Sequence, residues 1–209
     1  KRLMSEREIG FLLSGGLDSS LIASLVSFML KGNRLVRGVT SDHWKHFPEL
    51  ETQRSLKTFS IGMDGSPDLD FADKVAKWID SDHYRVQLTE QDFLSEVRQT
   101  IWITESYDTT TIRASVGNYL VSKYISENTE CKVIFNGDGS DEVCCGYAYN
   151  EKAPDDKALH EEALRLVREL YLFDVLRSDR SISSNGLEAR TPFLDKSFVE
   201  FYLSVDASS

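Results

Sequence analysis

The 209-residue sequence predicts an α/β protein, a twisted parallel sheet flanked by helices and continued by an α-helical C-terminal part. Three observations carry that prediction. Apolar runs of strand length alternate with longer stretches of helical period, a glycine-rich turn follows the first run, and the residues after Pro154 keep almost entirely to the helical period. Parallel strands need crossover connections, so such alternation places helices on both faces of the sheet.

Ile9 to Leu13 is the first apolar run, followed by the turn Ser14-Gly15-Gly16. Leu21, Ile22, Leu25, Val26 and Met29 then recur at helical spacing until Lys31-Gly32 stops them. The polar stretch 33–55 has little periodicity and reads as a surface insertion or loop. Leu56 to Ile61 is a second strand. Ser66-Pro67 opens a helix, with Pro at the first helical position and Asp68 and Asp70 in the first turn, where the helix dipole favours anions. Val75, Trp78 and Ile79 are assigned to its buried face, and Met29 to the core.

His83 to Leu88 alternates as a third strand, and Glu90 to Ile103 has helical period. Thr110 or Thr111 is placed to cap a helix running to about Glu127, with Val116, Leu120 and Tyr124 on one stripe. Lys132 to Phe135 is the fourth apolar run, ended by Asn136-Gly137. Beyond Pro154 only Asn185-Gly186 and Pro192 interrupt the helices, which read as a second lobe beside the sheet.

Apolar residues at 41% and charged residues at 28% are ordinary globular usage, which excludes a collagen-like or wholly disordered chain. Lys and Arg number 24 against 34 Asp and Glu, a net charge of −10. Coating nucleic acid or an anionic membrane needs basic patches, so neither partner is expected, although one small anion site built from backbone groups remains compatible. Three cysteines make no disulfide framework and point to a reducing, cytoplasmic setting. No apolar run reaches membrane-spanning length, and residues 1–8 lack a signal-peptide profile. The chain opens on Lys1 and not on methionine, so a piece of a longer protein is expected.

Open α/β sheets bind ligands beyond the carboxyl ends of their strands. There, between the first strand and helix, stands Ser14-Gly15-Gly16-Leu17-Asp18-Ser19-Ser20. Adjacent glycines let backbone N–H groups approach an anion, Ser14, Ser19 and Ser20 add hydroxyls, and the helix start adds positive dipole. Asp18 would repel phosphate unless a divalent cation lies between them, so the loop predicts a metal–polyphosphate complex. It is neither a Gly-Lys-Ser/Thr phosphate loop nor a Gly-x-Gly-x-x-Gly fingerprint. A Gly-Gly turn with a Ser/Asp cap is the bland alternative.

Asn136-Gly137-Asp138-Gly139-Ser140-Asp141-Glu142 follows the fourth strand and reaches the same sheet edge. Asp141 is the candidate to join Asp18 around Mg²⁺, two hard ligands for a hard cation; an ordinary acidic turn is the alternative. Thr109-Thr110-Thr111 with Arg113 offers hydroxyls, N–H groups and a guanidinium at a helix start, which suits pyrophosphate or a carboxylate. A Thr-capped helix with a surface Arg would look the same. His43 and His46 lie near Asp42 but lack further ligands and read as solvated. Cys144-Cys145 reads as small packing residues.

Ser14 to Ser20 resembles the signature of the PP-loop ATP pyrophosphatases, which implies an adenine nucleotide alpha hydrolase-like fold. Within that superfamily the chain looks like the synthetase domain of the glutamine-dependent asparagine synthetases, in particular the eukaryotic-type members. Four further segments carry the likeness: Phe59 to Met63 with Ser66 to Leu69, Glu105 to Ser115, Asn136 to Glu142, and Gly186 to Asp195. The resemblance covers nearly the whole chain except 33–55.

The resemblance implies ATP, Mg²⁺ and L-aspartate as ligands. ATP would lie over the first loop, the aspartate side chain would attack its α-phosphorus to give β-aspartyl-AMP and pyrophosphate, and ammonia would displace AMP to give asparagine. It further implies that Leu12 and Ile61 hold the adenine ring, that Asn136-Gly137 is a nucleotide-side pair, and that Thr110, Thr111 and Arg113 contact pyrophosphate. Lys152 would match a lysine near the substrate carboxylate. Where the family usually has Ser-Gly-Glu-Gly, with a glutamate tied to forming the adenylate, this chain has Asn136 and Asp138. Aspartate is shorter by one methylene, about 1.5 Å of reach.

A glutaminase domain would precede Lys1 and supply ammonia, and a lysine-bearing phosphate segment would follow Ser209. The longer protein is expected to make asparagine, while this chain alone is weak or inactive. A homodimer is one assembly open to it. Two alternatives stand: another PP-loop enzyme, a β-lactam-forming or RNA-modifying relative, which would lack the Thr110–Arg113 and Gly186–Arg190 segments, or a catalytically weak ATP-binding remnant.

Overall fold

The structure, a computed structural model, describes residues 2–30 and 55–205. The expected insertion at 33–55, with His43 and His46, lies outside the described residues apart from Ser55. Five strands, β1 (Ile9–Leu12), β2 (Lys57–Met63), β3 (Asp82–Leu88), β4 (Val133–Phe135) and β5 (Glu188–Arg190), pair in the order β3-β2-β1-β4-β5. Every neighbouring pair is parallel. The helices are α1 (Leu17–Leu30), α2 (Pro67–Ile79), α3 (Glu90–Ser95), α4 (Val97–Thr104), α5 (Thr109–Asn128), α6 (Ser140–Cys144), α7 (Asp156–Glu169), α8 (Asp174–Ser183) and α9 (Lys196–Ser204). No helix among the described residues is long and apolar enough to cross a membrane.

Period-two alternation divides the core between the two faces of the sheet. Ile9, Phe11, Leu13, Val133 and Phe135 pack with Ile22 and Val26 of α1 and with Ala72, Ala76 and Ile79 of α2. Phe59 and Ile134, with the partly buried Leu12 and Ile61, pack with Val121 and Ile125 of α5 and Ile182 of α8. Gly10 makes that second face possible, because a Cβ there would stand 2.8 Å from the Phe59 ring. Strand order reverses at β1: the chain goes outward to β2 on one side and returns at β4 on the other. The reversal leaves a crevice beyond the carboxyl ends of β1 and β4.

Several expectations are corrected. The tail forms no separate lobe. Its segment Glu188–Arg190 is the fifth strand, with Ala189 in the second core, and α8 packs on α5. Three residues with one small inward side chain leave no alternation to read. Glu90 to Ile103 divides at Glu96 into α3 and α4. A capping box between Thr89 and Asp92 starts α3, and the Glu96 carboxylate leaves the helix axis to meet Lys123 of α5 at 3.0 Å. Helix α5 is capped by Asp108, not by Thr110 or Thr111. Trp78 is not core: the buried face of α2 runs through Leu69, Ala72, Ala76 and Ile79, leaving Trp78 77% exposed. Met29 does pack against the first core.

Phe11→Ala is expected to cost about 3–5 kcal/mol in urea unfolding, because its side chain is fully buried between helices. Trp78→Ala should stay within about 0.5 kcal/mol of the parent. Equal losses for both would mean that the α2 face is misassigned.

Candidate functional site

Two loops meet in the crevice. The first, after β1, is held by its own serines. The Ser14 and Ser19 hydroxyls are 2.9 Å apart, the Gly16 N–H donates to Ser14 Oγ at 3.3 Å, and Ser19 Oγ donates to the Gly16 carbonyl at 3.2 Å. Gly15 has φ +80°, and a Cβ on it would lie 2.5 Å from the Ala72 nitrogen, so the loop rides directly on α2. Asp18 falls in the first turn of α1.

The second loop follows β4. A Cβ on Gly137 would sit 3.2 Å from the Ser19 nitrogen, so the two loops touch backbone to backbone. Gly139, at φ +89°, passes against Leu194, and Gly146 lies so close beneath the Asp141 carboxylate that any side chain there would strike it. Asn136 is 3% exposed, and its N–H donates to the Arg190 carbonyl of β5 at 3.2 Å. Its side-chain Nδ2 donates to Asp138 Oδ2 at 2.6 Å and to Ser178 Oγ at 3.2 Å, while the Asp138 N–H donates to Asn136 Oδ1 at 3.3 Å. Buried Glu142 accepts from the Tyr147 hydroxyl at 2.5 Å.

Between the loops lies a cleft of about 450 Å³, within the range of small-molecule sites. Of the residues expected from sequence, Leu12, Ser14, Gly16, Asp18, Ser19, Ile61, Asn136, Gly137, Asp138 and Asp141 line it. Leu12 and Ile61 form an apolar wall with Phe59 and Val121, opposite the polar loops. Gly15 shapes the loop from behind. Ser20 is not among the lining residues, and its hydroxyl is buried without a hydrogen-bond partner among the described residues.

Four expected residues are not brought in. Thr110 and Thr111 occupy the first turn of α5 outside the cleft lining, and the Thr111 N–H is already taken by the Asp108 carboxylate at 2.7 Å. Arg113 and Lys152 are exposed and do not line the cleft, Lys152 lying on the 3₁₀ turn Ala148–Lys152.

Arg177 and Ser178 of α8, Tyr147, and Asn118 of α5 also line the cleft, although no motif marks them. Arg177 is the lone cation among the described lining residues, against Asp18, Asp68, Asp138, Asp141 and Glu142. In sequence Arg177 and Ser178 look like solvated positions of an amphipathic helix. Only the packing of α8 on α5 turns them toward the loops, and no local signal announces that.

Burial pushes Cys131 up to about 11 and also raises Cys144 and Cys145, which keeps all three protonated at neutral pH. Among the described residues no group of three or more His, Cys, Asp or Glu is arranged to hold a metal ion alone. Asp18 and Asp141 both line the cleft, and their carboxylates are of the kind that holds Mg²⁺, a cation commonly bound by one or two carboxylates plus substrate phosphates.

The sequence matches the family described as Asparagine synthase over residues 1–155 and 149–209. The chain belongs to the asparagine synthase family. It is 50% identical over 205 residues to the human asparagine synthetase (glutamine-hydrolyzing), which covers 98% of this chain and 34% of that one. Against the asparagine synthetase (glutamine-hydrolyzing) of Gallus gallus it is 48% identical over 207 residues, 99% of this chain and 34% of the other. The chain thus spans about a third of the length of these relatives. A solved structure described as a predicted subunit of a tRNA methyltransferase, from Methanocaldococcus jannaschii, superposes over 95% of this chain and 74% of that one, at TM-score 0.43 and 13% identity. A likeness that remote carries no functional information.

Two outcomes test the local geometry. Gly15→Ala should destabilise by about 1–3 kcal/mol in urea unfolding, since both φ and the contact with α2 oppose a side chain. The backbone N–H of Thr111 holds the Asp108 carboxyl below the usual carboxylate range. A depressed folded-state value means stability present above about pH 4 and lost as the pH falls further. Asp108→Asn keeps a cap but cannot titrate. The melting-temperature advantage of the parent over this variant should therefore be present at pH 6 and shrink toward zero near pH 2.

Proposed function

We propose that the cleft binds ATP and activates the side-chain carboxylate of L-aspartate, in the ATP-dependent amidation of aspartate to asparagine through β-aspartyl-AMP. The observation that carries this reading is the backbone contact between Gly137 and Ser19, which joins a phosphate-type loop to a carboxylate-rich loop over one cleft with an apolar wall. The apolar side, Leu12 and Ile61, accepts the flat base. Ser14, Gly16 and Ser19 offer hydroxyl and N–H groups to the phosphates at the start of α1.

Charge decides the rest. A polyphosphate beside five carboxylates and one guanidinium is unfavourable without added cations, so the acids make sense as ligands. Asp18 and Asp141 would hold Mg²⁺, which when bound offsets phosphate charge and makes the α-phosphorus a better electrophile. Arg177 faces the same cleft and can grip a carboxylate with two parallel hydrogen bonds, fixing the aspartate whose side chain attacks. Addition of ammonia to the acyl-adenylate leaves a proton to be removed, and Asp138 is a carboxylate in the cleft able to accept it. AMP then leaves.

Ammonia would come from glutamine hydrolysed by a domain outside this chain, in keeping with the names of the relatives. The free thiols of Cys131, Cys144 and Cys145 suit a reducing, cytoplasmic setting. Because the chain spans about a third of the length of these relatives, the isolated chain would be a weak catalyst.

ATP–pyrophosphate exchange by the full-length protein should require both aspartate and Mg²⁺. Asp141→Asn should lower its rate by about 100-fold or more. Arg177→Ala should raise the KM for aspartate about tenfold while moving that for ATP little. Exchange that proceeds without aspartate, or none at all, would overturn the reading.

A further inference from the structure

Asn136 follows β4, is almost wholly buried, and uses its backbone N–H and the whole of its side-chain amide in hydrogen bonds. Its backbone N–H is bound to β5. One side-chain N–H donates to the Asp138 carboxylate at 2.6 Å and the other to Ser178 Oγ at 3.2 Å, while its carbonyl oxygen accepts the Asp138 N–H at 3.3 Å. The orientation of the amide is therefore determined. Turned over, it would point its oxygen at a carboxylate oxygen and its nitrogen at a backbone N–H, losing two bonds and adding repulsion. Ser178 is itself 4% exposed and sits on α8, so the arrangement spans the second loop and the C-terminal helices.

We propose that Asn136 is a positioning residue: its amide, anchored by Ser178, latches the Asp138 carboxylate in one orientation in the lining of the cleft. A hydrogen bond to an ionised carboxylate is about twice as strong as one between neutral groups, and burial strengthens it further. The same amide holds the Asp138 backbone through its N–H and the carboxylate through Oδ2, so backbone and side chain are tied to one group. A displaced catalytic group can cost about 100-fold in rate for about 1 Å of error. The latch holds a short acid where a longer one would collide with it. Asp138→Glu alone should therefore slow the reaction, and replacing the amide with the smaller Asn136→Ser should make room for the extra methylene.

The latch itself follows from geometry; its effect on rate rests on the adenylating reading. Two measurements on the full-length protein separate them. In urea unfolding, the midpoint shifts of Asn136→Ala and Asp138→Ala should sum to more than the shift of the double variant, since each single change breaks the same contact. Additive shifts would overturn the latch. In aspartate-dependent ATP–pyrophosphate exchange, Asn136→Ala should lower kcat about tenfold to a hundredfold, with the KM for ATP held within about threefold. The milder Ser178→Ala should move kcat in the same direction. The pair Asn136→Ser with Asp138→Glu should exchange faster than Asp138→Glu alone. A raised KM for ATP at unchanged kcat would instead make Asn136 a nucleotide contact, and the proposal would fall. Non-additive unfolding shifts in a protein that shows no aspartate-dependent exchange would retain the latch and discard the adenylating reading.

Discussion

Gly137 touches the backbone of Asp18 and Ser19, and the rest of the site is arranged around that contact. No side chain fits between the two loops without displacing one of them, because the Ser19 nitrogen would be 3.2 Å from the first atom of any such group. The contact is available only where strand order reverses, since β1 and β4 are neighbours whose following loops leave the sheet on the same edge. Gly15 on α2, Gly139 on Leu194 and Gly146 beneath Asp141 repeat the logic at the periphery. Each lets backbone or carboxylate come closer than a Cβ would allow, and together they hold the loops at the separation that leaves a cleft.

That closeness sets the electrostatic problem. The net charge of −10 argues against nucleic acid or an anionic membrane as partner, yet five of the acids are gathered on one cleft with a single guanidinium among its described lining residues. Carboxylates so placed repel one another, and burying them costs stability unless each has donors or a cation. Glu142 has the Tyr147 hydroxyl, and Asp138 has the Asn136 amide. Asp18 and Asp141 stand where a phosphate-bound cation would sit under the adenylating reading. Acid-rich surroundings then become a reason for metal-dependent phosphate binding, not an objection to it.

Sheet order aside, most of the fold could be read from periodicity. The apolar runs at β1, β2, β3 and β4 are distinct, and Ser14 to Ser20 carries enough backbone chemistry to be assigned to its place beforehand. What could not be read has a common cause. Trp78 is apolar by type but stands about 100° round the helix from Ile79, off the buried face. Strand β5 fails because only Ala189 turns inward. Asp108 and the threonines after it are comparable caps by type, and only the bond to the Thr111 N–H distinguishes them. Arg113 and Lys152, placed by resemblance, lie outside the cleft, while Arg177, a solvated helix residue by pattern, lies inside it.

The last contrast shows why the C-terminal helices belong to the site. Helix α8 packs on α5 through Ile182, in the core that also holds Val121, whose side chain borders the apolar wall. The same helix presents Arg177 and Ser178 to the loops, and the strand after it receives the Asn136 N–H. A rigid helix transmits position along its length, so loss of packing at Ile182 would displace the cation and the latch together. The hydrophobic face of α8 and its polar face are therefore not separable into structure and function: the first sets the distance at which the second works. An acid as short as Asp138 gives that coupling particular force, since it has no spare methylene with which to follow a loop that moves.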